Sequence, residues 1–145
     1  MRMLLTLSLA LLTGWTLSAQ DKKADFDLKK MEGSWSFSSG SKAGTKSDDP
    51  IKKYEVTVKG TELTLNLAET GKFIMKVTLV DGKKSPAHVD FEITEGPIGK
   101  GSVAKGIVSV DGDEMKICYP NMGEGDRPAK FDGEKNYCFI LKKKK

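Results

Sequence analysis

The chain holds one histidine and two cysteines in 145 residues, and these shortages bear on most catalytic and metal chemistry. A zinc site takes three or four nitrogen, sulfur or oxygen ligands, and a Ser-His-Asp arrangement takes a base held by an orienting acid. The lone His88 falls on the polar side of an alternating run, together with Asp90 and Glu92, which is the position of an exposed strand histidine. Cys118 and Cys138 have no histidine nearby in sequence that would make either a nucleophile. Acidic residues are plentiful, but nothing in their spacing singles out a pair for glycoside hydrolysis. The expectation is a protein that is not an enzyme, with no catalytic residue, no metal and no cofactor.

Charge of one sign is also missing. The 24 Lys+Arg stand against 20 Asp+Glu, mixed along the chain, a balance that argues against nucleic acid as a partner. Only Lys142-Lys143-Lys144-Lys145 is a single-sign run, and it reads as a solvated end. No apolar stretch reaches the ~20 residues that a membrane-spanning helix needs. The longest, Met3 to Leu17, follows Arg2 and gives way to Ser18-Ala19-Gln20 and then Asp21-Lys22-Lys23. That order is a signal peptide cleaved after Ala19. It divides the chain into a signal peptide, residues 1–19, and a single domain, residues 20–145, with no transmembrane segment and a secreted or periplasmic location. Its removal leaves 145 − 19 = 126 residues and, with Arg2 gone, a charge of 23 − 20 = +3. One core serves a chain of that length.

What is present is period-2 alternation, the signature of half-buried strands. Trp35 and Phe37 alternate with serines; Tyr54, Val56 and Val58 share a face; Leu63, Leu65 and Leu67 repeat the pattern. Phe73, Met75, Val77 and Leu79 follow, then Val89, Phe91 and Ile93, a run from Val103 to Val110, Met115, Ile117 and Tyr119, and lastly Tyr137, Phe139 and Leu141. Gly106 interrupts its run and predicts a bulge. Lys59-Gly60-Thr61-Glu62, Asp81-Gly82 and Asp111-Gly112-Asp113 are hairpin turns, and they lack the ligand spacing of a calcium loop, as does Asp132-Gly133. Gly96-Pro97-Ile98-Gly99-Lys100-Gly101 is no phosphate loop, because no helix follows to aim its N–H groups. Asp25 is placed to cap a short helix carrying Leu28 and Met31, ended by Gly33, that plugs one end. The fold expected is all-β: eight antiparallel strands closed as an up-and-down, lipocalin-like barrel with a short N-terminal helix, a β-sandwich being the alternative. Two longer connections remain. Gly40 to Asp49 reads as a mobile polar loop, and Pro120 to Lys135 carries Met122, Arg127 and Pro128.

An ordered set of segments then resembles a known family. These are Asp27-Leu28-Lys29-Lys30-Met31-Glu32-Gly33-Ser34-Trp35, Pro86 with Val89-Asp90, and Glu95-Gly96-Pro97. They continue with Val110-Asp111-Gly112-Asp113, Met115-Lys116-Ile117-Cys118, and Arg127-Pro128 with Phe131. Over nearly the whole mature chain they resemble the planctomycete-type secreted lipocalin-like family of unknown function. Gly33-x-Trp35 is also similar to the first-strand motif of lipocalins, in which the tryptophan packs across the closed end of the barrel. The resemblance implies a fold and a compartment, and no activity.

The inward face is strongly aromatic. Trp35, Phe37, Tyr54, Phe73, Met75, Phe91, Tyr137 and Phe139 lie on the apolar sides of five strands and are the expected lining of a ligand pocket. Eight strands enclose an interior that side chains fill or that holds one small ligand, so two expectations stand. The first is a non-enzymatic extracytoplasmic binding module for a small hydrophobic ligand. The alternative is an inhibitor-like module with a filled core that meets an envelope protein through its loops. If the strands ending at Tyr119 and starting near Tyr137 pair with their apolar faces inward, Cys118 and Cys138 face outward nearly opposite each other. A disulfide in an exported chain is then expected.

Overall fold

The computed structural model describes residues 25–46, 51–121 and 123–145. The signal-peptide reading, residues 47–50 of the first long connection and Met122 lie outside these described residues. The alternating runs form strands β1 (Gly33–Lys42), β2 (Thr45–Lys46), β3 (Glu55–Lys59), β4 (Glu62–Asn66) and β5 (Lys72–Asp81). The chain continues with β6 (Ala87–Glu95), β7 (Val103–Asp111), β8 (Glu114–Tyr119) and β9 (Tyr137–Lys143). β2 is a two-residue partner to the end of β1; the other eight build an antiparallel barrel in which chain neighbours are spatial neighbours. Pairing of β1 with β9, from Trp35 opposite Lys143 to Lys42 opposite Tyr137, closes the sheet. Closure removes the open edges that a sandwich would keep, so the barrel, and not the alternative, is the fold.

The turns follow from local chemistry. Lys59 pairs with Glu62 and Asp111 with Glu114, leaving two-residue turns in which Gly60 (φ 58°) and Gly112 (φ 57°) take the left-handed conformation. The Asp81-Gly82 connection is wider than a tight turn. Phe26 N–H donates to the Gly82 carbonyl at 2.8 Å, and a Cβ on Gly82 would lie 2.6 Å from the Phe26 carbonyl oxygen, so the N-terminal segment occupies that corner. No bulge occurs at Gly106, where β7 keeps register with both neighbours. The glycine answers a close approach instead: a Cβ there would meet the Phe91 ring at 2.7 Å and the Cys118 carbonyl oxygen at 3.0 Å. Register shifts fall in β1 between Phe37 and Ser39, and at two places in the pairing of β5 with β6, where Val80 and Thr94 are the extra residues.

One end of the barrel is packed shut. The helical turn is a 3-10 helix, Leu28–Met31, capped by Asp27 and not by Asp25: the Asp27 carboxylate accepts from Lys29 N–H at 2.9 Å. Met31 and Trp35 are fully buried, and the indole N–H donates to the Met31 carbonyl at 2.8 Å. Lys143 of the last strand lies over the indole, 5.3 Å from Nζ to ring centroid, and seals that end. Val58, Val77, Val89, Val108, Met115 and Leu141 fill the interior above it.

The two long connections are not both loops. Residues 40–46 belong to β1, a turn at Ala43-Gly44 and β2, so that part of the expected mobile loop is sheet. Residues 127–132 of the second connection lie against the outer wall. Arg127 donates to the carbonyls of Val89 (2.7 Å) and Gly106 (2.6 Å) and to the Asp90 carboxylate (2.8 Å). Ile107 and Cys118, on the outer faces of β7 and β8, are consequently almost fully buried. Pro120 and Pro128 are buried with them.

Candidate functional site

At the end opposite Trp35 the barrel opens into an apolar cavity of about 370 Å³. Six of the eight expected lining residues surround it: Phe37, Tyr54, Phe73, Met75, Tyr137 and Phe139. Two do not. Trp35 belongs to the closed end, and Phe91, 2% exposed, packs beneath the cavity against the Gly106 backbone, bordering a void of only about 30 Å³. The barrel is therefore filled at one end and hollow at the other. Strands long enough to line both halves put residues of the same face, such as Trp35 and Phe37, into different surroundings.

One wall is a continuous set of rings. Phe37 meets Tyr54 edge-on (5.9 Å, 89°) and Phe139 likewise (5.2 Å, 82°), while Tyr119 stacks on Tyr137 (5.8 Å, 11°). Aromatic contacts of this kind hold side chains in place before any ligand arrives. Leu65, Leu67 and Ile93 form the opposing wall. Ile98, in the Gly96-to-Gly101 connection, stands 74% exposed at the lip. Burial pushes the Tyr119 phenol well above its ordinary value, and neighbouring Tyr137 adds to the effect, so this ring stays neutral near physiological pH.

The polar lining consists of Lys42, Ser102 and Asn121 beside the tyrosines, with no aspartate or glutamate among the described residues. Lys42 reaches the cavity through a bulge. Phe37 pairs with Leu141 but Ser39 pairs with Ile140, so Ser38 is an extra residue. Inward-facing positions before it are Trp35 and Phe37; after it they are Gly40 and Lys42, opposite Phe139 and Tyr137. The Lys42 ammonium rests 5.6 Å from the centroid of the Tyr54 ring.

Comparison with protein-family models, with curated proteins and with solved structures finds no match. Among the described residues no three His, Cys, Asp or Glu side chains come together to hold a metal ion, and His88 lies half-buried on the outer face of β6. No helix among them is long and apolar enough to cross a membrane. Cys118 and Cys138 are directly opposite in β8 and β9, with Cα atoms 4.1 Å apart, and are joined as a disulfide. They face outward as the alternation requires, but Cys118 is fully buried, its sulfur 3.8 Å from the carbonyl oxygen of Asp132 in the connection that crosses it.

Leu65, Ile93 and Tyr119 also line the cavity and were not among the expected residues, although they continue the same alternating faces, the signal by which they could be found. Lys42 and Ile98 carried no such signal. Lys42 sits in a polar stretch whose face is set by a bulge, and Ile98 in a Gly-rich connection that only the folded barrel brings to the lip.

Proposed function

We propose that this chain is an exported, non-enzymatic binding module that holds a small hydrophobic ligand in the open half of its barrel. The observation that carries the reading is the preformed apolar cavity of about 370 Å³, walled by ordered rings and backed by a packed core. Binding sites for small molecules are concave, mostly apolar and largely built in advance, with volumes of roughly 300–1,000 Å³. Export is supported by the charge and hydropathy order of residues 1–19 and by the bonded cysteine pair, a feature of oxidising compartments. Kinship with the secreted lipocalin-like family rests on the shared segments and accords with the barrel. The interaction-module alternative draws less support, because residues 40–46 are two strands and the turn between them, and the second connection is strapped to the wall at Arg127.

The test is a thermal-shift screen of fatty acids, isoprenoids and aromatic dyes. A ligand that binds only the folded state raises the melting temperature with concentration, by the equivalent of roughly 2.7 kcal/mol at a hundredfold excess over its dissociation constant. Leu65→Trp should occupy the cavity, weaken binding and leave the fold intact, since Leu65 borders open space. Trp35 is remote from the cavity, so its emission should barely respond. No shift with any compound, together with unfolding of Leu65→Trp, would remove this reading.

A further inference from the structure

We infer that the ligand is an amphiphile with a single negative charge, a carboxylate on one apolar tail, its head held at Lys42 on the rim and its tail directed toward Met75 and Ile93. This rests on the binding-module reading above and names the class of molecule for that same cavity. The first support is placement. A bulge at Ser38 turns Lys42 from the outer face to the inner one, opposite Tyr137, in the last pairing of β1 with β9. Without that extra residue, Ser39 and Ser41 would face the mouth and Lys42 would be solvated outside.

The second support is the lack of compensation. Lys42 makes no ion pair with a described residue; its partner is the face of the Tyr54 ring, and no described acidic residue lines the cavity. A cation at the edge of an apolar cavity gains from an anion that arrives with the ligand, through a charge-assisted hydrogen bond. One lysine matches one charge. A doubly charged head group would leave its second charge to the neutral amide of Asn121 and hydroxyl of Ser102.

The third support is size. A cavity of about 370 Å³ lies near the lower end of the range for small-molecule sites, which fits one chain or one ring system and excludes a two-chain lipid. Below it the barrel is packed, with a void of only about 30 Å³, so the head must remain at the mouth, where Lys42 is.

The experiment compares decanoate, decanol and decylamine on the native protein by isothermal titration, with Lys42→Gln, Lys42→Glu and Lys42→Arg in parallel. Decanoate should bind roughly tenfold or more tightly than decanol, the ratio expected of one charge-assisted hydrogen bond, and decylamine most weakly. Lys42→Gln should erase the preference by bringing decanoate affinity down to that of decanol, Lys42→Arg should keep it, and Lys42→Glu should turn it toward decylamine. Melting temperatures close to that of the native protein report that each variant retains its fold. Equal binding of decanoate and decanol by the native protein, or a preference that survives Lys42→Gln, overturns the head-group assignment and leaves the cavity as a neutral site. Binding of none of the three removes both this inference and the reading beneath it.

Discussion

The Arg127 guanidinium holds two adjacent strands and a crossing segment through three hydrogen bonds, one of them to a carboxylate, with its side chain only 17% exposed. Its planar fork suits several acceptors at once, which an ammonium on a flexible stem does not. Arg127→Ala should lower unfolding free energy by about 1.5–3 kcal/mol, the range for bonds to a charged group, and Arg127→Lys should recover only a minor part. Denaturant midpoints measure this, and equal stability of Arg127→Lys and the native protein would contradict it. Tyr119 allows a pH prediction. Its phenol is held above the ordinary value of 10.0, first by burial and then by Tyr137. Below pH ~10 both folded and unfolded chains keep the proton; above it the unfolded chain releases its proton and the folded one does not, so stability falls as pH rises. Tyr119→Phe should therefore decline less steeply than the native protein between pH 9 and 11. Parallel denaturation curves over that range would show that Tyr119 is not the group responsible.

The strands themselves were legible from residue alternation, because a barrel wall with one wet and one dry face leaves that pattern in every strand. Their irregularities were not. Gly106 reads equally well as a bulge or as a site of close approach, and only the position of Phe91 on the next strand separates the two. Gly106→Ala should destabilise by about 1–3 kcal/mol, the usual effect of forcing a methyl group into a full core. Phe91→Leu in the same chain should recover part of that loss by removing the ring contact, but not all, since the Cys118 carbonyl remains in the way. Strictly additive losses in the double variant would mean that the glycine is there for another reason. The Ser38 bulge is the opposite case: no glycine or turn residue marks it, and the pairing of β1 with a strand a hundred residues later creates it.

For the molecule as a whole, the disulfide between β8 and β9 and the wall-bound connection act on the same region. Cys118 and Cys138 enclose a separation of 20 residues, and the chain-entropy estimate for a loop of that length is ~3 kcal/mol. Reduction, or Cys138→Ser paired with Cys118→Ser, should lower stability by about that amount. Protein produced in an oxidising compartment and unfolded without reductant should expose no titratable thiol, and two thiols per chain would refute the bridge. The sequence alone determined the all-β class, the strand positions, most of the turns, the pairing of the cysteines and six of the residues around the cavity, since these depend on local conformation and on a period of two. Tertiary structure alone decided which half of the barrel is hollow, that Trp35 and Phe91 belong to its packed part, and that residues 127–132 cover the wall. It also brought Lys42 inside. Those outcomes depend on where strands distant in the chain meet: a single extra residue in β1 reverses every side chain that follows it, and such a reversal leaves no trace in the local pattern.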